Sequence, residues 1–196
     1  ASVFVDVEPS YSTIITSTDA NCASNDGSAI VTIQAPTSGV SSLTYCPSGP
    51  GVSLYSNIEL VHLVGDTNII TNNTTGICDS VHDYTAMSAD VTLGNNYTVN
   101  VNLGSCNLST FQNDGAKVFI DWNIDGDFLD AGETIGTIPI SQSPSINSIN
   151  FTVPNTAIPG VTRMRVVAQY NNDINITSCD SGTWAPTYNS PWFGST

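Results

Sequence analysis

Apolar and polar residues alternate with a period of two along most of this chain, and that alternation predicts strands. Residues 2–7 (SVFVDV) place Val3, Val5 and Val7 on one face and end at Glu8-Pro9. Residues 11–18 and 28–34 read as two more strands joined by a polar turn around Asn25-Asp26-Gly27. Residues 35–42, rich in Pro, Gly and Ser, form a loop and a seam. Beyond it, strand-like runs fall near 58–64, 69–71, 89–93, 97–103, 116–120, 134–140, 146–153 and 162–170. Gly94-Asn95, Asp114-Gly115 and Pro159-Gly160 are turn signals between them. No stretch of ten or more residues keeps a helical period of 3.6. The pattern predicts an all-β fold, an antiparallel β-sandwich of jelly-roll type. The seam divides it into a small N-terminal β extension (1–43) and a sandwich domain (44–196).

Charge narrows the function. Seventeen acids stand against three bases, Lys117, Arg163 and Arg165, for a net charge of −14. That balance leaves no basic patch for phosphate, which excludes nucleic acid and an anionic membrane surface as partners. No apolar run approaches the length of a membrane span, so no membrane insertion is expected. The residues include no signal peptide, as in a processed chain. Cys22, Cys46, Cys78, Cys106 and Cys179 are widely spaced and form no C-x-x-C pair. In a Ser-, Thr- and Asn-rich acidic chain they point to disulfides in an oxidising, extracellular setting, with one thiol left over. Asn72, Asn73, Asn96, Asn107, Asn150 and Asn175 each begin an N-x-[ST] sequon, which permits glycosylation.

The densest chemistry lies at 117–133, KVFIDWNIDGDFLDAGE. A strand runs into a loop with oxygen-bearing side chains at Asp121, Asn123, Asp125 and Asp127, a turn at Gly126, and then Asp130 and Glu133. A hard dication such as calcium takes six to eight oxygens, and alternate residues of a tight loop converge on one point. The first seven positions match an EF-hand loop, but Glu133 falls one residue late and no helical pattern flanks it. The expectation is therefore a Ca2+ loop at the end of a strand. The alternative is a solvated acidic turn whose Asp and Asn residues cap their own backbone.

Tyr45-Cys46, Asp83-Tyr84-Thr85, the run FIDWNIDGDFLDAGE, the block FTVPNTAIPGVTRMRVVA (151–168) and Cys179 together resemble the GEVED domain of secreted and surface bacterial proteins. The resemblance implies a β-sandwich in large extracellular proteins, without known catalysis. It also implies a Cys46–Cys179 bridge, with Cys46 near the first core strand and Cys179 near a late one. Cys78 and Cys106 flank the 83–103 strand pair and are the expected second bridge, with Cys22–Cys46 as the rival pairing. More weakly, residues 19–33 are similar to repeats of bacterial gliding adhesins. The family closes with a G-E-x-E-D-Y segment and one further strand, and here Trp192-Phe193-Gly194-Ser195-Thr196 stands where that strand should start. A sandwich lacking one strand leaves an open groove, and the strand carrying Val3, Val5 and Val7 is the available complement. It is expected either to pass to the next copy or to fill the groove of its own chain.

Enzyme signatures are missing: no G-x-S-x-G elbow, no H-E-x-x-H and no phosphate-cradling Gly loop. His62 and His82 read as structural. Trp184, Tyr188, Trp192 and Phe193 suit a seam between subunits, or a surface that stacks on sugar rings. The reading is a non-enzymatic, calcium-stabilised extracellular subunit that polymerises with copies of itself. The alternative is an adhesive or carbohydrate-binding module, with glycans as partners, of a larger surface protein.

Overall fold

The alternating runs become strands. A computed structural model describes residues 2–8, 12–18, 28–34, 43–51, 56–79, 81–105, 112–180 and 194–196, and among these it contains strands and no helix. In chain order they are β1 (Ser2–Glu8), β2 (Ser12–Thr18), β3 (Ser28–Gln34), β4 (Asn57–Val64), β5 (Ile69–Asn73) and β6 (Asp83–Thr92). They continue as β7 (Asn96–Gly104), β8 (Asn113–Ile120), β9 (Thr134–Gln142), β10 (Ser145–Thr152), β11 (Gly160–Tyr170) and β12 (Gly194–Ser195). The larger sheet runs β6-β1-β11-β8-β9, with β12 also on β11. The smaller runs β10-β7-β4-β5, and β2 and β3 form a separate pair among the described residues.

The two large sheets bury their alternate residues against each other. Val5, Val118, Ile120 and Met164 come from one side, and Val61, Leu63, Val99 and Val101 from the other. Each contributes on the order of 2 kcal/mol of transfer free energy. The far face of the larger sheet is covered as well. Phe119 and Val167 point into a second cluster with Phe128 and Ile176, and Tyr45 packs on it. Two segments form this cover, one around residues 43–51 and one around 171–180. They are tied by the Cys46–Cys179 bridge that the family resemblance implies and by the Gly49 N–H donating to the Asp180 carbonyl at 2.9 Å. Closing a loop of 133 residues stabilises by about 5 kcal/mol in the chain-entropy picture. Because β11 is covered on both faces, it also buries a cation. The Arg165 guanidinium lies 5.1 Å from the centre of the Phe128 ring and donates to the Ser178 carbonyl at 2.6 Å. Burial, with Arg163 nearby, pushes it down to about 10.

One expectation needs correcting. Strand β1 was assigned to an extension separate from the sandwich, yet it lies inside the larger sheet. It pairs antiparallel with β11, from Ser2↔Arg165 to Val7↔Gly160, and parallel with β6, from Ser2↔Asp83 to Glu8↔Thr92. Its neighbours decide this: β6 and β11 both need a partner on the facing edge, and Val5, fully buried, completes the core between them. Strand β12 occupies the same slot further along, opposite Ala168 and Gln169. Thr196 follows it, accepting the His82 N–H at 2.8 Å through its carbonyl and donating its hydroxyl to the Val166 carbonyl at 3.3 Å. The slot between β6 and β11 is thus filled by two segments laid end to end.

Asp114 on β8 has no access to solvent, and its carboxylate accepts the hydroxyls of Ser56 and Ser143. Burial pushes it up to about 6. The folded chain therefore holds this proton more tightly than the unfolded chain, whose carboxyl titrates near 3.9. The associated stability is fully present below pH ~4 and is lost as pH rises through about 6. Asp114→Asn should stabilise the chain by about 1–3 kcal/mol at pH 8 and flatten the dependence between pH 4 and 7. Thermal melts of both proteins across that range check it; equal slopes would contradict it.

Candidate metal centre

Strand β8 delivers the acidic loop to a fixed place. The Ile120 N–H donates to the Glu133 carbonyl at 2.8 Å, and the Asp121 N–H to the Arg163 carbonyl at 3.2 Å. Trp122, nearly buried, packs on Phe151 with ring centres 6.1 Å apart and donates its indole N–H to the Gly132 carbonyl at 3.2 Å. The loop therefore leaves and re-enters the sandwich at pinned points.

Two of the six expected ligands do other work. Asp121 is fully buried, and its Oδ1 accepts the Ile124 N–H at 2.7 Å while Oδ2 accepts the Gly126 N–H at 3.1 Å. The Tyr45 hydroxyl also donates to Oδ2, at 2.7 Å, and the Arg163 guanidinium lies 4.5 Å from the Tyr45 ring centre. Burial, reinforced by the adjacent Asp121, pushes the Tyr45 phenol well above its ordinary value, so it remains a donor. Glu133 is buried too; its Oε1 accepts the Trp122 N–H at 3.0 Å and its Oε2 the Asp130 N–H at 3.1 Å. Burial raises the Glu133 carboxyl above its usual value. These two carboxylates shape the loop from within. They force an unusual backbone: Gly126 at φ +95°, and Ile124, a β-branched residue, at φ +56°.

The others converge outside this frame. Carboxylate oxygens of Asp125, Asp127 and Asp130 all lie within 4.8 Å of one another, a cluster that can hold a metal ion. Asn123 joins it by donating from Nδ2 to Asp125 at 2.9 Å and to Asp130 at 2.7 Å. Its Oδ1 is buried without a partner. Turning that amide over presents a fourth oxygen to the cluster, an arrangement favourable only with a cation among the carboxylates. The donor set is all oxygen and matches a hard dication.

The remaining sequence candidates scatter. His62 accepts or donates at Thr71 Oγ1 across 2.8 Å on an outer sheet face, and buried His82 stacks with Tyr84 at 6.2 Å between ring centres. Asn72 is buried with its Oδ1 receiving the Val61 N–H, which leaves no room for a glycan, whereas Asn73, Asn96, Asn150 and Asn175 are exposed. Cys78 is disulfide-bonded, to a partner outside the described residues. Cys22, Cys106, Asn107, Trp184, Tyr188, Trp192 and Phe193 lie outside them as well. Tyr45, as the lock on Asp121, was missed by the ligand reading although Tyr45-Cys46 had marked the family resemblance.

Residues 115–187 match the GEVED domain, a span that holds most of β8, the acidic loop, β9, β10 and β11. This supports the family resemblance. No curated protein and no solved structure matches the chain.

The division between frame and cluster is testable. Asp121→Ala should cost about 3 kcal/mol whether or not a divalent cation is present, because it strands the partly buried N–H groups of Ile124 and Gly126 and the Tyr45 hydroxyl. Asp125→Ala should change stability by less than about 1 kcal/mol in EGTA and remove most of any gain given by millimolar calcium. Melting curves of both variants with calcium and with EGTA separate the roles. A wild-type melting point indifferent to calcium would leave the cluster a solvated acidic turn.

Proposed function

We propose that this chain, with its GEVED domain match, is a non-enzymatic extracellular structural protein. It is a calcium-stabilised β-sandwich subunit that joins copies of itself head to tail by exchanging strand β1. The observation that carries this reading is the slot between β6 and β11. Strand β1 is hydrogen-bonded along both edges and buries Val5. Its withdrawal removes a strand from within the larger sheet. It strips one edge of β6 and part of one edge of β11 of their backbone partners, so the slot does not stay empty.

A strand supplied from the same chain closes a monomer, and the structure has this closed arrangement. One supplied by a neighbour makes the same pairings and leaves the neighbour's own slot open, so the contact is heterologous and propagates. Calcium supplies charge neutralisation among Asp125, Asp127 and Asp130, with Asn123 turning its carbonyl inward, and this secures the loop between β8 and β9. The extracellular setting rests on the Cys46–Cys179 bridge and on bonded Cys78, since such bridges persist in oxidising compartments. Among the described residues no helix is long and apolar enough to cross a membrane.

Removal of residues 1–8 should leave a destabilised chain that forms no polymer, and a synthetic ASVFVDVEP peptide should restore its melting point. Val5→Asp should act like the deletion, at a cost of about 3–5 kcal/mol, because it places a charge in the core. Electron microscopy and melting curves read both effects. A deleted chain as stable and as polymeric as the original would overturn strand exchange.

A further inference from the structure

The outer face of the smaller sheet has a composition unlike the rest of this acidic surface. At the outward positions of β7 and β10, paired side chains form neutral rungs. Thr152 donates to Asn96 at 2.5 Å, Thr98 to Asn150 at 2.6 Å, and Ser148 to Asn100 at 2.6 Å. The next columns, β4 and β5, continue the pattern with His62 against Thr71. Apart from Glu59, which lies over Gly104 at one end, no Asp, Glu, Lys or Arg stands at an outward position of these four strands. The face also carries exposed aliphatic side chains: Ile146 at 82 %, Ile69 at 54 % and Val64 at 50 %.

These aliphatic groups sit at opposite corners. Ile146 lies in the row Ile146–Asn102–Leu60–Asn73, at its β10 end, and Ile69 with Val64 lies two rungs away at the β5 end. Strand spacing of about 4.8 Å and a rise of about 3.4 Å per residue make the patch between them roughly 14 Å on each side. For a near-square patch, a two-fold axis along the other diagonal sets Ile146 of one copy over Ile69 and Val64 of the second. The neutral rungs then meet in between, with strands crossing near a right angle. A second copy carries the same net charge of −14, and this face brings the two copies together with few like charges in direct contact.

We infer that this face is a self-association surface, through which two copies of the chain pair reversibly, face to face. The patch is well below the ~800 Å² per partner of a stable complex, so the pairing is weak for single copies. It becomes effective where many copies are arrayed and the contacts repeat. It does not depend on strand exchange. A glycan on Asn96 or Asn150 would stand on this same face, so glycosylation there and pairing exclude each other.

Sedimentation equilibrium of the full, unglycosylated chain tests the inference, at concentrations up to about 1 mM. Strand-exchanged oligomers, which dilution does not dissociate, are removed beforehand by gel filtration. The expected result is a monomer–dimer equilibrium that dilution reverses. It should tighten between 0.05 and 0.5 M NaCl, because screening relieves the repulsion between copies. Ile146→Asp and Thr98→Asp should each weaken it at least tenfold while the melting point stays within a few degrees of the original. A chain that remains monomeric throughout the range would overturn the inference. So would a dimer that both variants form unchanged, or one that salt dissolves.

Discussion

The larger sheet depends on a backbone constraint: β6 and β11 are not paired with each other and are held together by what lies between them. Each presents a row of N–H and C=O groups to the slot, and such groups are costly to bury unpaired. Strand β1 satisfies both rows, parallel to one and antiparallel to the other. The residues 194–196 continue the line. Side-chain burial adds to this, through Val5, but does not choose the partner. Any segment with the same alternation and an apolar middle residue meets the backbone demand, so the slot is specific in geometry more than in sequence.

The acidic loop solves a different problem with the same groups. Five carboxylates in a short stretch repel one another, and the fold separates them by task. Asp121 and Glu133 turn inward and accept backbone N–H groups, where their charge is spread over donors. Asp125, Asp127 and Asp130 are left facing one another on the outside. The frame thus concentrates negative charge that it does not itself neutralise. It is rigid because the inner pair is bonded to Tyr45 and Trp122, both packed on the sandwich.

Period-two alternation made most of the fold legible. Strands β4, β7, β10 and β11 lie within a residue or two of where the pattern put them, because one face of each is dry. The first half of β6 was not legible: residues 83–88 are exposed or half-buried on both faces, and the strand was expected only from 89. Strand order was hidden as well. The parallel pairing of β1 with β6 joins segments some eighty residues apart, and alternation carries no information about partners. The acidic residues of the loop were all visible in sequence, but their division into frame and cluster was not. It turns on Tyr45, which reaches Asp121 across 76 positions.

The two-sided pairing of β1 also sets how the molecule bears tension. Hydrogen bonds of a ladder lie across the strand direction, so a pull along β1 loads all its rungs on both sides together. A hairpin pulled open from one end gives way rung by rung. A pull on the C-terminal end of β1 directed along the strand therefore meets the ladder in shear. The far wall of the slot, β11, is stiffened by the cross-linked cover over its outer face. The slot resists stretching along β1 more than it resists peeling.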